Sequence, residues 1–175
     1  MSLIFECHDP ASCWMALRVK SRHEFITNAE LQKKYIETFL PTITKLRQWK
    51  DRKKMVEFPL FSGYLFVHCP ADPDSRAAVL KTRGAVNIIS SAGGAPAVVS
   101  DDEISALKLV MESGQPIDIY PHLHEGDRIR VTKGALKGAE GMLVAKESNH
   151  VFVVNVEILS RSVGVKILAD EVEKA

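Results

Sequence analysis

Nothing in this sequence is apolar for the roughly 18 consecutive residues that a bilayer-spanning helix needs. Residues 1–13 also lack the basic start and long apolar centre of a signal peptide, so a cytoplasmic protein without a membrane partner is expected. Cysteine is scarce, with three residues at positions 7, 13 and 69 and no Cys-x-x-Cys arrangement. That excludes a disulfide framework and a thiolate zinc site, and Cys69 reads as a small core residue at the end of an apolar run. A net charge of only +1 excludes a global basic field, so any nucleic-acid contact must be local. No glycine-rich phosphate loop follows a strand, and His122-x-His124 stands without further ligands at metal spacing. Neither an enzyme, nor a metal, nor a cofactor is expected.

What is present divides unevenly. Residues 14–60 hold eleven Lys or Arg against five Asp or Glu, whereas residues 101–175 hold nine against thirteen, as two units with different partners would. Trp14-Met15-Ala16-Leu17 suits a strand buried on both faces. Ser21 and Glu24 have the spacing of a capping box, and Phe25, Ala29 and Ile36 fall on one face of the helix that would follow. Lys45 to Lys54 is polar and basic, and an exposed, mobile hairpin or loop is expected there, with Arg47, Lys50, Arg52, Lys53 and Lys54 as candidate nucleic-acid contacts. Tyr64 to His68 is an aromatic, β-branched strand after Gly63. Its alternation puts Tyr64 and Phe66 on one face and Leu65 and Val67 on the other.

Asp72-Pro73 opens a second helix and Gly84 ends it. Val86 to Ile89 and Ala97 to Val99 read as short strands around Gly93-Gly94, and Ser100 with Glu103 caps a third helix that stops at Gly114. The order predicts an α+β domain with an antiparallel sheet flanked by helices over residues 13–114, after a disordered lead at 1–12. Residues 115–123, with two prolines, read as a linker. Over 124–175 the strands Arg128 to Val131, Gly141 to Ala145, Val151 to Ile158 and Val163 to Leu168 predict a small all-β barrel.

Three passages together resemble the NusG family of transcription elongation factors: Trp14 and its strand, Pro59-Leu60-Phe61-Ser62-Gly63-Tyr64-Leu65-Phe66-Val67, and a KOW motif from Gly126-Asp127-Arg128-Ile129-Arg130-Val131 through Lys137-Gly138-Ala139-Glu140-Gly141. The resemblance implies an N-terminal NGN domain followed by an SH3-like KOW barrel, and a monomer that binds without catalysis. It implies that Phe61, Tyr64, Phe66 and Ile88 face the clamp helices of the largest subunit of bacterial RNA polymerase. It further implies that Ile158, Leu159 and Arg161 contact a ribosomal protein or Rho, and that the basic stretch meets non-template DNA.

Two departures matter. Ser62 stands where the family commonly has proline, and Ser75, Arg76 and Ala77 do not reproduce the His-Thr-Thr contact of the specialised RfaH-like branch, although the spacing from Pro59 to Gly84 resembles that branch. The function implied is modulation of pausing and termination, with antitermination favoured. The alternative is a ribosome-associated KOW protein that binds RNA, against which the large α+β domain argues. Some relatives refold the KOW domain as a helical hairpin; the β-branched run Val151 to Val156 favours the barrel here.

Overall fold

The structure, a computed structural model, describes residues 12–121, 126–146, 149–168 and 171–175. Its contacts divide the chain into two units, the first ending at Val98 and the second beginning at Val99. Residues 1–11 of the lead expected at 1–12, and the His122-x-His124 pair, lie outside the described residues, while Ser12 belongs to the first strand rather than to the lead.

The N-terminal unit is built on an antiparallel sheet. Strand β1 (Ser12–Val19) lies between β5 (Tyr64–Pro70) and β6 (Ala85–Ile88), β2 (Glu37–Phe39) flanks β5, and β7 (Val98–Val99) also pairs with β1. The central position of β1 explains its unbroken apolar run, because both of its faces are buried from Trp14 to Leu17. Helices α1 (Glu24–Lys33) and α2 (Pro73–Leu80) contribute Leu31 and Val79 to one core with Met15, Leu17, Leu65, Val67, Cys69 and Ile88. Alternation therefore assigns Leu65 and Val67 to the helix side as expected. Cys13 and Cys69 stand directly opposite each other on β1 and β5, with the Cys13 thiol 3.9 Å from the Cys69 carbonyl oxygen.

Helix α2 starts as its sequence predicts, with the Asp72 carboxylate accepting from the amides of Asp74 and Ser75 at 2.9 Å. Helix α1 does not. Its N-cap is His23, which makes no side-chain cap bond, and Arg22 before it takes a left-handed φ of 63°. The Glu24 carboxylate expected to reach back to Ser21 instead accepts from the Gly63 amide at 2.8 Å, and the side chain is buried. With Glu24 anchored there, Thr27 and Leu31 at i+3 and i+7 face the core, and Phe25 is left 43% exposed. Ile36 joins the edge of that core only after the chain reverses at Tyr35 (φ 60°).

Gly84 (φ 89°) is confined by close approach as well as by its turn. A Cβ there would stand 2.3 Å from the Thr27 hydroxyl, which donates to the carbonyl of Arg83 at 2.9 Å. Residues of the basic stretch form a separate two-stranded sheet, β3 (Thr42–Gln48) against β4 (Lys53–Pro59).

The second unit opens with α3 (Asp101–Glu112), capped as expected by the Ser100 hydroxyl accepting from Glu103 N–H at 3.2 Å. Six antiparallel strands follow in the order β13-β9-β10-β11-β12-β8, being β8 (Ile117–Pro121), β9 (Asp127–Val131), β10 (Glu140–Lys146), β11 (Asn149–Val156), β12 (Arg161–Ile167) and β13 (Val172–Lys174). Most of the expected linker is thus a strand: Ile117 to Tyr120 alternates apolar and polar, and β8 pairs along one side with β12. Its prolines are tolerated because β8 is an edge strand.

Helix α3 lies against β10 and β11 rather than with the N-terminal sheet. It buries Ile104, Ala106, Leu107 and Val110. That cover explains why β11 is apolar without alternation, with Val151, Phe152, Val153 and Val154 all buried. In the KOW segment Gly134 (φ 78°) and Gly138 (φ 89°) turn the chain, whereas Gly141 serves packing within β10. A Cβ at Gly141 would meet the Val153 carbonyl at 2.5 Å and the Phe152 ring at 2.8 Å.

Candidate functional site

On the sheet face opposite the helices, β1 and β5 bring aromatic residues together because their register sets Trp14 against His68, Ala16 against Phe66 and Arg18 against Tyr64. Trp14 stacks on the His68 ring with centroids 4.9 Å apart, and His68 Nδ1 lies 2.8 Å from a carboxylate oxygen of Glu37 on β2. Phe66 stacks on Phe39 at 6.0 Å and meets Phe61 edge-on at 6.2 Å, both favourable ring geometries. Phe61 and Phe66 therefore share one cluster, and Tyr64 lies on the same face of β5 as Phe66. Trp14, Phe39 and His68 join it, although only the alternation of β1 could have marked the first of them.

The turn that presents this cluster depends on Gly63. Tyr64 N–H donates to the Phe61 carbonyl at 3.1 Å, and Gly63 at the third turn position has φ 83°, as a type II turn requires. Ser62 occupies the position of the family's proline without opening the turn, which Glu24 braces through the Gly63 amide.

Exposure differs sharply within the cluster. Phe61 and Phe66 are buried, whereas Tyr64, like Phe39 and His68, is only partly so. Ile88 does not belong with them. It is buried on the helix side, opposite Leu17, and its β6 neighbour Asn87 pairs with Arg18 on the aromatic side. The register shift between Arg18 and Val19 separates the β6 pairing from simple counting along the chain. Ser75, Arg76 and Ala77 lie on α2 and are partly buried.

The basic stretch is a regular antiparallel hairpin, with Arg47, Lys50, Arg52, Lys53 and Lys54 all exposed. Between β11 and β12, residues Glu157–Leu159 form a 3-10 turn that ends at left-handed Ser160 (φ 49°). Ile158 and Leu159 are partly buried in that turn, and Arg161 opens β12 exposed.

Beside this turn lies a group that sequence reasoning did not single out. Burial of the Glu103 carboxyl, reinforced by the nearby Glu157 carboxylate, pushes its pKa up from 4.5 to about 7. Backbone amides of Glu157 and Ser100 oppose that rise without cancelling it. The Ser100–Glu103 spacing marked a cap, but nothing local could reveal that the carboxylate would face a second acid 54 positions away. No group of three or more His, Cys, Asp or Glu suited to holding a metal occurs among the described residues. No helix among them is long and apolar enough to cross a membrane.

The family described as transcription termination factor nusG matches residues 12–108, which spans β1 through the first two turns of α3. A transcription termination/antitermination protein NusG from Streptococcus pyogenes is 30% identical over 115 residues, covering 64% of this chain and 63% of the relative's length. One from Chlamydia trachomatis is 26% identical over 128 residues, covering 72% of this chain and 69% of the relative. The solved structure of Thermotoga maritima NusG shares the fold, with a TM-score of 0.54 at 20% identity over 93% of this chain and 97% of that one. With the family match covering more than half of its residues, and both an aromatic-faced α+β unit and an all-β unit in place, this chain belongs to the NusG family.

Proposed function

We propose that the protein is a transcription elongation factor that docks its N-terminal unit on the clamp helices of bacterial RNA polymerase and acts on pausing and termination, antitermination being the favoured sense. The observation that carries this reading is the aromatic cluster on β5, which lies within the part of the chain that the family match covers. Tyr64, partly open at the end of β5, is the contact residue. Buried Phe61 and Phe66 form the rigid floor that holds its position. A ligand of the clamp that binds the closed polymerase better than the open one shifts the equilibrium towards closure, with no chemical step required.

The second unit would present the Ile158, Leu159 and Arg161 turn to another factor, a ribosomal protein or Rho. Tethering raises the effective concentration of that partner at the moving polymerase.

Binding of the purified chain to core RNA polymerase, compared with Tyr64→Ala, tests the reading. Loss of a central interface tyrosine costs about 2 kcal/mol, roughly a 30-fold weaker Kd, with the far-ultraviolet circular dichroism unchanged. Failure of the unaltered chain to bind at micromolar concentration would sink the polymerase assignment. Equal affinity of the folded Tyr64→Ala variant would remove β5 from the interface.

A further inference from the structure

Three cysteines cannot build a disulfide framework, yet two of them stand together. The register sets Cys13 on β1 against Cys69 on β5, so both side chains project to one face, the side covered by the helices. Both carry thiols, and the Cys13 Sγ lies 3.9 Å from the Cys69 carbonyl oxygen. Val19 N–H donates to the Gly63 carbonyl at 2.8 Å, and hydrogen-bonded pairs recur at every second position of an antiparallel ladder. Leu17 with Leu65, Met15 with Val67 and Cys13 with Cys69 are therefore pairs of that kind. Ser12 with Pro70 falls between them, where the missing proline N–H costs this ladder no bond.

A hydrogen-bonded pair has Cα atoms about 5.5 Å apart, inside the window of about 4.4–6.8 Å that a disulfide spans. Its Cβ atoms are about 5.5 Å apart, against about 3.5–4.5 Å across a disulfide, so closing the bond draws the strands together and strains them. The pair stands one step from the end of the ladder at Ser12 and Pro70, where few bonds resist that movement. Strain of this kind makes a disulfide easier to reduce, so a tie here opens as readily as it closes. Cys69 is buried but backs onto an open cavity of about 350 Å³ lined also by Ser12, Lys34, Ile36 and Pro70, while Cys13 is only half-buried. Burial, and after it the Asp72 carboxylate, pushes the Cys69 thiol pKa up, which leaves Cys13 as the sulfur that meets an oxidant first.

We propose that Cys13 and Cys69 form a redox pair, closed by a hydroperoxide into a cross-strand disulfide that ties β1 to β5 and reopened by a thiol reductant. The peroxide transfers one oxygen to the Cys13 sulfur, giving a sulfenic acid and releasing water or the parent alcohol. The Cys69 sulfur then attacks the Cys13 sulfur; the S–S bond forms as the S–O bond breaks, and the hydroxyl leaves as water with the Cys69 proton. The two thiols lose two electrons, which the peroxide takes up. Two molecules of a small thiol return them and become a disulfide themselves. The tie encloses α1, β2, the β3–β4 hairpin and the turn at Gly63. Trp14 and His68, the next residue on each strand, stack at 4.9 Å on the opposite face, so the tie fixes the strand pair beneath the aromatic side. It requires no polymerase and stands or falls apart from the docking of β5.

Cys7 lies outside the described residues, and the test uses the full chain carrying Cys7→Ser so that only this pair is read. After hydrogen peroxide at about tenfold excess, unfolding in urea with iodoacetamide should leave both cysteines unalkylated and the chain monomeric and two hydrogens lighter. A proteolytic digest should contain one peptide that joins them. Closing a loop of more than 50 residues should raise the urea midpoint of the N-terminal unit by roughly 1 M. Millimolar reduced glutathione should restore both thiols and the original midpoint, which an unstrained structural disulfide resists. Cys13→Ser, at a half-buried site, should show no rise in midpoint and leave Cys69 open to alkylation after peroxide. Alkylation of both cysteines after peroxide would overturn the proposal, as would a disulfide between two copies of the chain or a sulfinic acid at Cys13 beside a reduced Cys69. A tie that glutathione cannot reopen would equally overturn it, since the bond would then be a permanent staple.

Discussion

Replacing Glu103 with glutamine should stabilise the second unit, by an amount that grows as pH rises above about 4.5 and levels off near pH 7. In the folded chain the carboxyl holds its proton up to about pH 7, because burial and the Glu157 carboxylate disfavour the anion. Unfolded, it titrates near 4.5. Between these values the folded state binds the extra proton, so stability falls as pH rises through the window and levels off above it. The difference, at about 1.4 kcal/mol per pH unit, sets a ceiling of about 3 kcal/mol; partial access of water to the side chain reduces the expected loss to about 1–2 kcal/mol. Glutamine has the shape of the protonated acid and cannot ionise. Urea denaturation followed by circular dichroism should therefore show Glu103→Gln more stable than the unaltered chain by about 1–2 kcal/mol at pH 8, and nearly equal to it at about pH 4, below the unfolded value. Glu157→Gln, which removes the second cause of the shift, should recover part of the same difference. A gap that is the same at both pH values, or a variant less stable at pH 8, would refute the account of a charge held against its solvation.

Two glycine and carboxylate contacts give further checks. Gly141→Ala drives a methyl into the Val153 carbonyl and the Phe152 ring, both neighbours within the strand ladder, and should cost about 1–3 kcal/mol in the urea midpoint of the second unit. Glu24→Ala strands the Gly63 amide in a partly buried turn and should cost about 1–3 kcal/mol, seen as an earlier unfolding transition of Trp14 fluorescence; Glu24→Gln keeps an acceptor and should lose less.

Elements whose causes are local were legible in the residues alone. Asp72 with Pro73 and Ser100 with Glu103 specify helix starts within four positions, and α2 and α3 begin there. Tyr64 and Phe66 were placed correctly relative to Leu65 and Val67, since period two needs only the strand itself. The failures share a different cause. Glu24 left its capping role for an amide 39 positions away, and this rotated the buried stripe of α1 from Phe25 to Thr27 and Leu31. Ile88 was misplaced because its face is set by pairing with Leu17 across β1, which the local pattern does not show. Alternation assigned Phe66 to a side of the sheet but could not say that it would be covered. Pro116 and Pro121 suggested a linker, although prolines at the ends of an edge strand cost few ladder bonds and the alternation from Ile117 to Tyr120 was the stronger signal.

Helix α3 carries that distinction furthest. Its apolar stripe of Ile104, Leu107 and Val110 states that one side will be buried, and Gly114 (φ 68°) states where the helix stops, but neither names the surface it covers. Ending the first unit at Gly114 rests on the helix being followed by a change of pattern. The contacts place α3 with β10 and β11 instead, and this accounts for a fact that the other boundary leaves apart: a glutamate whose carboxyl is desolvated beside the turn after β11. The helix that ends the family match thus also covers β10 and β11 of the all-β unit, and the Glu103 titration reads out that packing.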